Sequence, residues 1–146
     1  MNKSLTIIAP ARIHIGFLDL EKKSMRKFGS IGLTISDFYY RIKIEKFTKI
    51  EVICENKLLK NKIINIIKKF QIKYPISKFK ITVFEEIPIH NGLGSGTQLA
   101  LSLGYLISKF NNLSISVDQI SKFLNRGLRS GVGIQSFKKG GFNIVV

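Results

Sequence analysis

Apolar residues recur along the chain with two different periods, and the changes of period divide it into elements. Residues 4–9 read as the start of a buried strand, which Pro10 bends or confines to a sheet edge. Residues 11–17 then alternate strictly. Arg12, His14 and Gly16 share one face, and Ile13, Ile15 and Phe17 share the other, which is predicted to enter the core. A basic loop over residues 21–30 follows, and Gly29, Ser30 and Gly32 predict a small-residue turn before Leu33. Residues 38–54 alternate in two runs, predicting a β-hairpin with Thr48 and Lys49 near its tip and Cys54 pointing inward.

The period then changes to that of a helix. Over residues 57–72, Leu59, Ile63, Ile66, Ile67 and Phe70 fall on one side, with Lys60, Lys62, Lys68 and Lys69 mostly opposite. Tyr74 and Pro75 end it, and residues 79–84 form a strand. That strand runs into residues 87–110, where a glycine-rich loop leads to a second helix. Leu99, Leu103, Leu106, Ile107 and Phe110 form its buried stripe, and Ser95 or Thr97 is placed to cap its first turn. Further on, Ser116 and Gln119 have the spacing of a capping box, predicting a helix to about residue 125 that Gly127 ends. Residues 125–134 read as a glycine-rich turn, and Gly140 and Gly141 as another.

Composition narrows the setting. The 146 residues, 45% of them hydrophobic, suit one globular domain with a real core. No apolar run reaches the length of a membrane span, because Arg12 and His14 break the one long candidate. Cys54 is the sole cysteine, which excludes an internal disulfide and a cysteine-based metal cage. These features predict a cytoplasmic protein. The net charge of +15 favours anionic partners, although the lysines are dispersed rather than clustered with aromatic residues as in a single-strand binder.

Candidate chemistry gathers at the two glycine-rich stretches. Gly92, Gly94 and Gly96 alternate with Leu93 and Ser95 and lead through Thr97 into a helix, so several backbone N–H groups can point at one anion. The loop lacks the Gly-Lys-Ser/Thr ending of the common nucleotide P-loop, and no acidic residue follows at the dinucleotide spacing. In the second stretch Arg126 and Arg129 bracket a turn containing Ser130 and Gly131, a composition suited to gripping pyrophosphate or, equally, to a solvated surface turn. On the first strand, Arg12 and His14 would line a cleft if their face is not simply solvated. Asp19 could hold a metal or cap a turn.

Longer motifs add a resemblance. Pro88 with Gly92-Leu93-Gly94-Ser95 resembles the Pro-led Gly-Leu-Gly-Ser-Ser-Ala phosphate motif of the GHMP small-molecule kinase superfamily. Here Gly96 replaces the second serine, and Thr97-Gln98 follows. Pro10-Ala11-Arg12-Ile13 resembles the superfamily's first motif. The strings from Pro10 to Leu20, from Gly92 to Leu99 and from Arg126 to Phe142 are similar to one branch, the β-ribofuranosylaminobenzene 5′-phosphate synthases. The superfamily's kinases carry Ser-Gly-Val-Asp where this chain has Ser130-Gly131-Val132-Gly133, and glycine cannot accept a proton from a substrate hydroxyl.

The resemblance implies an α+β fold: a two-layer mixed sheet covered by helices, as in the GHMP kinase N-terminal domain, which is similar to a ribosomal protein domain. It assigns residues 1–146 to that domain, with the superfamily's second, ferredoxin-like domain absent from the chain. The implied reaction joins phosphoribosyl pyrophosphate to 4-hydroxybenzoate or 4-aminobenzoate with loss of CO₂ and pyrophosphate, with Mg²⁺ as cofactor, in tetrahydromethanopterin biosynthesis. The implied roles are phosphate binding by Gly92, Leu93, Gly94, Ser95, Gly96, Thr97, Arg126, Arg129, Ser130 and Gly131, catalysis by Arg12 and His14, and metal binding by Asp19. A homodimer or a partner chain supplying the second half is expected, and no membrane partner. Two alternatives stay open: a kinase of the same superfamily using ATP, and a basic nucleic-acid-binding domain, against which the dispersed lysines and ordered glycine motifs argue.

Overall fold

In the computed structural model the described residues are 3–19, 28–88, 93–126 and 131–145. Strands β1 (Ser4–Asp19) and β2 (Phe28–Lys46) form a long antiparallel pair whose register shifts between Pro10 and Ala11 and again between His14 and Gly16. β1 is an outer strand, where a proline without an N–H is tolerated. β3 (Glu51–Ile53), α1 (Lys57–Lys73) and β4 (Phe79–Glu85) follow, then α2 (Ser95–Phe110), α3 (Val117–Phe123), α4 (Val132–Lys139) and β5 (Phe142–Val145). The sheet order is β1-β2-β4-β3, and β5 pairs with β2 beyond the end of β4. The β3–β4 pair is parallel and the other pairs are antiparallel, so the sheet is mixed and the class α+β.

Helices cover one face of this sheet. Ala9, Tyr40, Ile42, Ile44, Phe79 and Ile81 point into the core with Leu59, Ile63, Ile67 and Phe70 of α1. On the open face Glu45 binds Lys43 at 2.7 Å and Lys80 at 3.0 Å, and these two ammonium groups hold its carboxyl below the usual range. α2 is the central element. It packs on α1, α3, α4, β1 and β2, which is why Gln98 through Gly104 are all buried rather than only the apolar stripe. Lys3 closes its far end, donating to the Phe110 carbonyl and lying over the Phe110 ring. Among the described residues no helix is long and apolar enough to cross a membrane.

Several expectations change. Residues 38–54 are not a hairpin, because β4 lies between β2 and β3 and β3 pairs with it in parallel. Gly29, Ser30 and Gly32 belong to β2 rather than to a turn. Neither Ser95 nor Thr97 caps α2; the N-cap is Gly94, with no side-chain hydrogen bond. The capping box of Ser116 and Gln119 is present, but α3 ends at Phe123 with Asn125 left-handed (φ 55°), and Gly127 lies outside the described residues. The turn over residues 125–134 is shorter than its glycines suggest, since Val132 opens α4.

The alternating stretch of β1 faces the opposite way from the expectation. Ile13 and Ile15 are 40% and 57% exposed, and Leu33, opposite Ile13, is 38% exposed. Their other face, with Arg12, His14, Thr34 and Gly32, meets α4: a Cβ on Gly32 would collide with Val132 Cγ1. Alternation separates two faces without saying which one a helix will cover.

One packing contact is testable without any ligand. Gly104 of α2 sits against the buried side chain of Ile120 in α3, so closely that a Cβ there would strike Ile120 Cγ2. Overpacking costs about 1–3 kcal/mol, more than the ~1 kcal/mol of helix propensity gained on replacing glycine. Gly104→Ala is therefore expected to lower stability in urea unfolding.

Candidate phosphate-binding site

The site begins with a backbone strain that only glycine relieves cheaply. Gly94 takes φ +72°, and a Cβ there would lie 2.7 Å from Arg12 Cγ and 2.8 Å from Arg12 Nε. The Arg12 stem thus rests directly on the loop backbone. A second tie fixes the register: the Arg12 N–H donates to the Leu93 carbonyl at 2.9 Å. β1 and the start of α2 are held together at this residue.

α4 completes the junction. Its N-cap, Gly131, makes no side-chain hydrogen bond, and neither α2 nor α4 has an acidic residue in its first turn. Two helix starts, each with partial positive charge, therefore lie side by side. They touch where Gly133 meets Thr97: a Cβ on Gly133 would lie 2.7 Å from Thr97 Cγ2 and 3.3 Å from Arg12 Nε. Gln98 links the same two turns, its Nε2 donating to the Gly133 carbonyl at 3.0 Å. From the other side Arg126 reaches over α2, with Nη1 3.3 Å from the place a Gly96 Cβ would occupy.

Electrostatically the junction is positive, and among the described residues no ion pair neutralises it. Burial lowers the Arg12 pKa from the ordinary arginine value, yet a guanidinium remains charged at physiological pH. Among the described residues no carboxylate forms an ion pair with it, and its Nε is buried without a hydrogen-bond partner. Burial, and then the charge of Arg12, lower the His14 pKa, so His14 is neutral at pH 7. Thr34 Oγ1, Gln98 Oε1 and Ser136 Oγ, from β2, α2 and α4, are likewise buried without hydrogen-bond partners among the described residues. Such groups are ordinarily met by water or a ligand.

The structure brings together Arg12, Leu93, Gly94, Gly96, Thr97, Arg126 and Gly131. Ser95 differs in what it offers: its hydroxyl interacts with the Tyr40 phenol, whose pKa burial and the nearby Glu86 push well up. Gly92, Arg129 and Ser130 lie outside the described residues, as does the Asp19 side chain; the Asp19 backbone ends β1 opposite Phe28. Among the described residues no group of three or more His, Cys, Asp or Glu could hold a metal ion. The donors present are cationic and N–H groups, which suit an anion. Sequence reasoning missed Gln98 and the start of α4; the neighbouring glycines at 131 and 133 disguised a helix as a turn.

A two-layer mixed sheet with a glycine loop opening its central helix agrees with the family comparison. Residues 61–146 match the family described as the GHMP kinases N terminal domain, and the chain belongs to that family. It is similar to the beta-ribofuranosylphenol 5'-phosphate synthase of Methanocaldococcus jannaschii, with 33% identity over 151 residues covering 96% of this chain and 46% of the relative. The protein of that name from Methanothermobacter thermautotrophicus is 31% identical, with 94% of this chain and 44% of the relative covered. The chain thus spans a little under half the length of these curated relatives. Among solved structures, the Methanococcus jannaschii mevalonate kinase superposes with a TM-score of 0.68 at 18% identity, covering 98% of this chain and 53% of that one. The Streptococcus pneumoniae phosphomevalonate kinase gives 0.66 at 13% identity, covering 97% and 47%. These two likenesses concern the fold.

Proposed function

We propose that this chain supplies the diphosphate-binding half of a phosphoribosyl transferase of the β-ribofuranosylphenol 5'-phosphate synthase type. The observation that carries the reading is Arg12, a half-buried guanidinium with no carboxylate counter-ion among the described residues, set against two helix starts whose N-caps are glycines. A buried charge left unpaired is costly, and an anionic ligand removes that cost. Phosphoribosyl pyrophosphate offers such an anion as its leaving group. The relatives' name contains a phenol, which favours 4-hydroxybenzoate over 4-aminobenzoate as acceptor.

In the proposed reaction the ring carbon bearing the carboxylate attacks the ribose C1 as the bond from C1 to the diphosphate breaks. The carboxylate then leaves as CO₂ and returns its electron pair to the ring. Arg12, Arg126 and the N–H groups of the two helix starts stabilise the charge that builds on the departing diphosphate. His14, neutral beside Arg12, is assigned to the acceptor side. Mg²⁺ would arrive on the diphosphate, with Asp19 as its proposed protein ligand.

A second α+β segment, equivalent to the half of the relatives that this chain does not span, would complete the cleft and cover Ile13, Ile15 and Leu33. The test is calorimetric titration with phosphoribosyl pyrophosphate and Mg²⁺, with ATP as the control. Saturable heat with the first and none with ATP is expected. Binding of ATP alone would move the reading to a kinase.

A further inference from the structure

Gln98 is an amide placed where an apolar side chain would be cheaper. It is fully buried, with Leu99, Ala100 and Leu101 beside it in the chain, and only one of its two polar atoms is bonded: Nε2 donates to the Gly133 carbonyl at 3.0 Å, while Oε1 has no hydrogen-bond partner among the described residues. A buried primary amide left half unpaired costs stability, whereas methionine would fill much the same volume without unpaired groups. Stability alone does not account for this residue. The bond it makes is the informative part.

That bond joins the first turn of α2 to the first turn of α4. The two helices already abut at Thr97 and Gly133, where no Cβ fits. An abutment prevents approach but not separation or sliding, and the side-chain bond restrains both. Each turn has a glycine as its N-cap, and Arg12 lies against both. Their spacing therefore fixes whether one ligand can reach both sets of N–H groups together.

We infer that Gln98 is a positioning residue, which latches α4 to α2 so that the two helix starts act as one site matched to a diphosphate rather than to a single phosphate. This rests on the reading of the site as a diphosphate binder. A single phosphate needs only one helix start, so it should be indifferent to the latch. A diphosphate spans both and should not be.

The experiment compares inorganic phosphate and pyrophosphate as calorimetric probes on the wild-type protein, Gln98→Met and Gln98→His. Wild type is expected to bind pyrophosphate at least 100-fold more tightly than phosphate. Gln98→Met should keep its phosphate affinity and its unfolding midpoint, yet lose about tenfold or more in pyrophosphate affinity, which is ~1.4 kcal/mol. Gln98→His, whose Nε2–H can reach a similar position, should recover most of that loss. Equal pyrophosphate affinity in wild type and a folded Gln98→Met overturns the latch while leaving the site reading standing. Should Gln98→Met not fold, the wild-type ratio decides: a value near one overturns the inference. Absence of pyrophosphate binding by the wild type overturns the site reading and the latch with it.

Discussion

Replacing Arg12 with methionine is expected to weaken phosphoribosyl pyrophosphate binding by about 10²–10⁴-fold while leaving the unfolding midpoint unchanged or raised. The two halves of this result come from one cause. Arg12 is half-buried and lacks an ion-pair partner among the described residues, so the empty protein carries its desolvation cost without compensation. Methionine keeps an unbranched stem to rest on Gly94 and removes the charge. The bound state loses two charge-assisted hydrogen bonds of roughly 1.5–3 kcal/mol each, and their sum at ~1.4 kcal/mol per decade gives the stated range.

Lysine at the same position separates charge from geometry. An ammonium group retains the positive charge but cannot make the two parallel bonds of a guanidinium fork. Arg12→Lys should therefore fall between wild type and Arg12→Met in affinity measured by calorimetry. If Arg12→Met bound as tightly as the wild type, the anion would have to sit elsewhere.

The elements most legible in the sequence were those whose signals are local. α1 shows its buried face through Leu59, Ile63, Ile66, Ile67 and Phe70 at helical spacing, and α3 announces its start through Ser116 and Gln119 bonding to one another. The pairing of β3 was not legible, because insertion of β4 between β2 and β3 is decided by contacts far apart in the chain. The face of β1 was inverted for a related reason. The residues that cover Arg12 and leave Ile13 exposed belong to α4, more than a hundred positions away, and α4 itself is hidden by Gly131 and Gly133.

At the candidate site the glycines were legible but their reasons were only partly so. Gly94 takes a left-handed angle, as a glycine loop suggests. Gly133 is different: its φ is not positive, and its lack of a side chain serves close contact with Thr97 and Arg12. Only the packing of two separate helices reveals that requirement. The close fit also gives the difference from the superfamily's kinase motifs a physical form. Those motifs place alanine where this chain has Thr97 and aspartate where it has Gly133, so the larger residue has moved from one helix to the other.

Gly133→Asp therefore should not produce a kinase. A Cβ at this position lies 2.7 Å from Thr97 Cγ2, and a β-branched side chain in a helix has little rotamer freedom to yield. α4 must withdraw, which breaks the Gln98 bond, and overpacking of this kind costs about 1–3 kcal/mol. Adding Thr97→Ala removes the colliding methyl, so the double variant should regain much of the lost stability, a coupling of about 0.5–3 kcal/mol in a double-mutant cycle read by urea unfolding. Diphosphate binding should not return with it. Aspartate at 133 would stand beside Arg12, whose Nε is 3.3 Å from the added Cβ, and its carboxylate would occupy the guanidinium intended for the ligand. Recovery of pyrophosphate affinity in the double variant would show that the clash alone, and not the charge of Arg12, governs the site.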